Sequence, residues 1–104
     1  MNLIDSFLTC ATAEARRHTD DPIDQAKIIA ATSLGLTAGG WTLPSAMACV
    51  CEMAESLRVN SDGRVYCVDT DTGAARYGAN GLMSAEERGL ELRADPRMRR
   101  ALNH

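Results

Sequence analysis

Aromatic residues are scarce in this chain: Phe7, Trp41, Tyr66 and Tyr77 make up 4% of its 104 residues. A core without them has to be aliphatic and rich in small side chains, so that helices approach closely while each contact buries little apolar area. Lysine is nearly absent as well, with Lys27 alone beside ten arginines. That bias fits a GC-rich bacterial or phage genome, and arginine is also the better residue for bidentate contacts at interfaces. No apolar run reaches the roughly 20 residues of a membrane span. Met1-Asn2-Leu3-Ile4-Asp5 carries neither a basic n-region nor a long apolar h-region, so a cytoplasmic protein without a membrane partner is expected. There is no G-x-S-x-G, no phosphate-binding glycine loop and no His-Glu-x-x-His. No acid–base pair or nucleophile can be assembled, which points away from an enzyme and from a bound cofactor.

The hydrophobic fraction of 45% is that of an ordinary globular chain, and the length suits one domain spanning 1–104. The net charge of −3 weighs against a nucleic-acid partner, since phosphate binding needs a basic surface. Cys10, Cys49, Cys51 and Cys67 are expected as free thiols in a helix-rich chain of this kind.

Helical periodicity runs from Leu3 to His18, with Ile4, Phe7, Leu8, Ala11 and Ala15 on one face and Asn2 or Asp5 as cap. Asp21-Pro22 then gives an N-cap followed by an N1 proline, and Asp24 suits the positive end of the helix dipole. The second helix, 22–38, is apolar or small on nearly every side through Ile28–Leu36, which predicts a central position with Leu34 in the core. Gly39-Gly40 ends it. A third helix is expected from Leu43, behind Thr42 as cap, to about Asn60, with Leu43, Met47, Val50, Ala54 and Leu57 inward. The period then switches to that of strands. Arg64–Val68 and Ala74–Tyr77 read as a β-hairpin (about 64–77) around Asp69–Gly73. Locally, Gly63–Tyr77 resembles the hairpin of a quinoprotein-type propeller blade, a generic chemistry that implies no activity. Ser84-Ala85-Glu86-Glu87 is a capping box that starts a fourth helix, and Asp95-Pro96 opens a last helical piece through Leu102. The expected fold is α+β: four or five helices around the central one, with one hairpin on the flank.

Each chemical motif has a plain structural explanation. Cys49-x-Cys51 invites a metal, but helical residues two apart point about 200° apart and cannot share an ion. In that phase Cys51 flanks the core and Cys49 lies on the polar side. Asp69-x-Asp71-x-Gly73 has the start of a calcium loop, yet Ala74 and Asn80 stand where the sixth-position glycine and the twelfth-position glutamate are needed. No metal is expected. His18, in line with Phe7 and Ala11, reads as a partly buried residue at a helix C-terminus. Two features suggest a binding surface. Arg93, Arg97, Arg99 and Arg100 face only Asp95 in the C-terminal piece, and Arg97, Arg99 and Arg100 lie away from Met98 and Leu102. Trp41 either staples the third helix or anchors an interface. The functional expectation is a non-enzymatic protein-binding module: an inhibitor, immunity protein, adaptor or regulator, of phage or mobile-element origin in one version. Its partner is another protein, and a homodimer is an open alternative. A nucleic-acid-associated regulator using the C-terminal arginines comes second, and a thiol-dependent enzyme or sensor third.

Overall fold

Asn2 starts the first helix, its Oδ1 accepting the Asp5 N–H at 2.9 Å, so that α1 runs Leu3–His18. The computed structural model describes residues 2–102, and His104, expected to be mobile, lies outside them. Phe7, Ala11 and Ala15, spaced one turn apart, are buried. Ile4 and Leu8 were expected on the same face but are 58% and 45% exposed. The covered strip of α1 is a single line of residues four apart. The fully enclosed Ala11 and Ala15 let its neighbours come close along that line and leave the flanking positions outside.

Helix α2 (Pro22–Ala38) begins as its sequence predicts, with Asp21 Oδ1 accepting the Ile23 N–H at 2.8 Å and Pro22 in the first turn. It occupies the centre of the fold and packs against α1 and against two helices and two strands that follow it. Ile28, Thr32, Gly35 and Leu36 form its buried side, and the Thr32 hydroxyl is satisfied by the Ile28 carbonyl at 2.7 Å. The opposite side is uncovered. Ile23, Ala26, Ala30 and Leu34 make an apolar stripe facing solvent, and Leu34 is 56% exposed rather than part of the core. An apolar circumference alone does not say which side the neighbours take.

The expected third helix is broken. Helix α3 covers only Leu43–Ala46, a turn intervenes at 47–49, and α4 is Val50–Glu55. The turn resets the helical phase, which reverses the expected placement of the cysteine pair: Cys49 is fully buried and Cys51 is exposed. The chain leaves α4 directly into strand β1 (Leu57–Val59), so Leu57 is buried as a strand residue.

Strand β1 pairs antiparallel with β2 (Val65–Cys67), in the register Leu57↔Cys67, Arg58↔Tyr66 and Val59↔Val65. Their turn is built by Asn60, whose Oδ1 accepts the N–H groups of Asp62 and Arg64, and by Gly63 at φ 78°. The expected hairpin over 64–77 survives as a looser connection. Val68 and Ala75 form a single bridge, flanked by Asp69 N–H to Ala74 O at 2.8 Å and Arg76 N–H to Cys67 O at 2.9 Å. The ladder partner of β2 is therefore the strand before it. A second small sheet, β3 (Tyr77–Gly78) against β4 (Gly81–Leu82), follows, and Cys67 N–H to Met83 O joins the two.

Ser84 and Glu87 form the predicted capping box, each side chain accepting the other's backbone N–H at 3.2 Å, and α5 runs Ala85–Ala94. It crosses α2 where both helices carry small residues four apart, Gly35 and Gly39 against Ala85 and Gly89. A Cβ on Gly39 would stand 2.8 Å from the Gly89 carbonyl, and one on Gly35 would stand 2.5 Å from the Ala85 oxygen, so the two backbones touch. Arg76 holds α5 from the other side with two bonds to Glu91, at 2.5 and 2.8 Å. Asp95 then caps α6 (Pro96–Leu102) through the Arg97 N–H at 2.8 Å, repeating the Asp-Pro start of α2. The described chain is an α+β domain of six helices with two small antiparallel sheets.

Candidate partner-binding groove

The end of α2 builds one wall of a groove. Gly40 takes φ 83°, Trp41 N–H reaches back to the Leu36 carbonyl and Gly40 N–H to that of Thr37, both at 3.0 Å. These two bonds are a Schellman ending, and they turn Trp41 inward to join Leu36 in the core. The next residue, Thr42, shares a capping box with Ser45 that starts α3, which places Trp41 just before the cap and the buried Ala46 in the first full turn. Trp41 is therefore the apolar staple of α3, only 6% exposed.

The last turn of α5 and the start of α6 form the other wall. Arg93 Nη1 donates to the Gly40 carbonyl at 2.9 Å, and its guanidinium lies 5.7 Å from the centre of the Trp41 ring. Between the walls is an open groove of about 700 Å³, lined by Trp41, Thr42, Ser45, Leu90, Arg93 and Arg99 among others. Two features singled out separately in the sequence, Trp41 and the C-terminal arginines, thus meet at one place. They do so unequally. Arg93 and Arg99 line the groove. Arg97 is turned to Asp95, with Nη2 to Oδ2 at 3.1 Å, and its hydrogen bonds hold the Asp95 carboxyl below the usual range. Arg100 is exposed and outside the groove lining. Leu90, 56% exposed, and the Thr42–Ser45 edge were not foreseen. The Gly39-Gly40 stop was the available signal, because it forces the chain to fold back over the end of α5.

Chemically, the groove offers a fixed guanidinium on an aromatic face, a second guanidinium with no ion pair among the described residues and an apolar leucine edge. Such a set recognises a carboxylate-bearing segment with an apolar neighbour. Comparison of the chain with protein-family models, curated proteins and solved structures finds no match.

The remaining candidates fall elsewhere. Asp69 Oδ1 accepts the Asp71 N–H at 2.9 Å inside the 69–73 turn, where Gly73 has φ 76°, so this carboxylate shapes the loop. Among the described residues no three His, Cys, Asp or Glu side chains converge as a metal set, and no helix is long and apolar enough to cross a membrane. The exposed apolar surfaces open to a homodimer include the Ile23–Leu34 stripe of α2 and the Leu3, Ile4 and Leu8 side chains of α1. Cys49 lies against Met98, with Sγ to Sδ at 3.4 Å, and fastens α6 to α4. Burial raises the Cys49 thiol, and it pushes Cys67, whose Sγ donates to the Ser84 carbonyl, up to about 12. Burial and the neighbouring Cys10 raise the Cys51 thiol as well, but Cys51 is exposed. Because reaction needs an accessible thiolate, a thiol reagent at pH 8 should label Cys51 slowly and leave the enclosed Cys49 and Cys67 intact until denaturant is added. Peptide mass spectrometry checks this, and early labelling of Cys67 would contradict the packing of β2.

Proposed function

We propose that this chain is a non-enzymatic protein-binding module whose α5–α6 groove takes an acidic segment of a partner protein. The single observation carrying this is the Arg93 guanidinium, held on the Gly40 carbonyl and over Trp41, beside Arg99 and the exposed Leu90. An arginine fixed in advance loses less freedom on binding, and its remaining donors suit a carboxylate. The groove also sits on a body of net negative charge, so a basic partner would be drawn to other faces and an acidic one to this one.

An array of immobilised random peptides tests the reading. Bound sequences should be enriched in Asp and Glu next to an apolar residue. The double substitution Arg93→Glu with Arg99→Glu should weaken the best of them by at least about tenfold, or 1.4 kcal/mol. Arg64→Glu, on an exposed turn away from the groove, should not. Trp41→Ala is a poor probe because the ring belongs to the core. Equal binding by wild type and the double variant removes the groove as the interface. The nucleic-acid alternative uses the C-terminal cluster of Arg93, Arg97, Arg99 and Arg100, of which Arg97 is paired with Asp95. It would show instead as duplex or single-strand binding that falls steeply with salt.

A further inference from the structure

A second cavity, of about 260 Å³, lies toward the N-terminal end of α2, between the end of α1, the start of α2, the β1–β2 hairpin and the 69–73 turn. His18, Thr19, Asp24, Arg58 and Tyr66 supply its polar lining. Arg58 and Tyr66 are register partners across the hairpin, so their side chains share one face of the two-stranded sheet. Arg58 is held in place by its own backbone: Nη1 donates to the Glu55 carbonyl at 2.6 Å and the Leu57 carbonyl at 2.8 Å. It makes no salt bridge with any described residue. His18 Nε2 is shut off from solvent and has no hydrogen-bond partner among the described residues. Burial and then the Arg58 charge lower the His18 pKa, which favours the neutral ring. Glu14, Arg17 and Glu55 are the other charges that act on it.

A part-buried guanidinium without a carboxylate and a buried imidazole nitrogen without a partner are each costly alone. Both line one cavity, where an acceptor would relieve the guanidinium directly. We infer that this cavity binds a small carboxylate monoanion, gripped by the free side of the Arg58 guanidinium with the Tyr66 hydroxyl as a second donor, while the shielded His18 ring beside them senses its arrival. Asp24 on the wall sets the charge limit. It stands too far from Arg58 to neutralise it by a direct pair, yet it repels a second negative charge, so a dianion such as hydrogen phosphate is disfavoured. The cavity shares no lining residue with the Arg93 groove, and this inference does not depend on the function proposed above.

The test follows the His18 ring resonances of the full chain by NMR during titration with sodium acetate at pH 7, with sodium chloride at matched ionic strength as reference. Acetate should shift them saturably, in the weak range expected of so small a ligand, and chloride should not. Arg58→Lys keeps the charge but loses the fork, and should weaken acetate several-fold. Asp24→Asn removes the like charge and should tighten acetate by about three- to tenfold, the size of a screened repulsion across a few ångströms of protein surface. That gain cannot arise from a damaged fold. Identical shifts with acetate and chloride, an unchanged affinity in Asp24→Asn, or tighter binding of inorganic phosphate than of acetate would each overturn the assignment.

Discussion

Gly89→Ala is expected to cost about 3 kcal/mol or more of folding stability, the upper part of the range for forcing volume into a closed contact. The expectation is unusual for its sign. Gly89 lies inside α5 without a positive φ, where alanine is the better helix former by up to about 1 kcal/mol. Propensity alone therefore predicts a gain. The geometry predicts a loss, because a Cβ there would collide with the backbone carbonyl of Gly35, which cannot rotate away as a side chain can. The two effects have opposite signs, so the measured change identifies the winner. Gly73→Ala serves as the reference. That glycine has φ 76° with no atom in the way of a Cβ, so its loss is limited to about 1–2 kcal/mol for a left-handed alanine. Urea unfolding of the three proteins decides it. A neutral or stabilised Gly89→Ala would mean that α2 and α5 do not touch along Gly35, Gly39, Ala85 and Gly89.

This crossing also marks where the sequence could be read and where it could not. The starts of α1, α2, α5 and α6 were legible because each is written in local chemistry: the side chains of Asn2, Asp21, Ser84 and Asp95 bond to N–H groups within three residues of themselves. Long-range choices were not. Nothing local says that Gly35 and Gly39 are spaced for another helix. Nothing local says that Val65–Cys67 takes Leu57–Val59 as ladder partner in preference to Ala74–Tyr77. The break at 47–49 was hidden for a related reason. Leu43, Met47, Val50, Ala54 and Leu57 keep an apolar spacing through it, because helix, turn and strand all present those residues to the same core.

The candidate groove divides in the same way. Trp41 and the arginines stood out by residue type, but their meeting depends on the Schellman turn at Gly40 and the docking of α5, fifty residues apart along the chain. The His18–Arg58–Tyr66 cavity was invisible in sequence. Its members lie on three elements, and Arg58 and Tyr66 become neighbours only through the β1–β2 register.

Leu36→Ala should lose about 2–5 kcal/mol, whereas Leu34→Ala, two residues away on the same helix, should change stability by less than about 0.5 kcal/mol. The residues removed are identical and both sit in the apolar run of α2, so composition and helix propensity cancel between the two variants. What differs is covering. Leu36 is 2% exposed and shares the core with Trp41, Met53 and Leu92, while Leu34 is 56% exposed on the solvent side. Truncating Leu36 removes buried area and leaves a void bounded by backbone in close contact, since the tight α2–α5 approach resists collapse. Truncating Leu34 exchanges an exposed leucine for the best helix former. Chemical denaturation of both variants at low micromolar concentration reads the difference directly. A large loss at Leu34 under those conditions would show that its stripe is covered in solution. The measurement to follow would then be the concentration dependence of unfolding, since a stripe covered by a second copy makes stability rise with protein concentration.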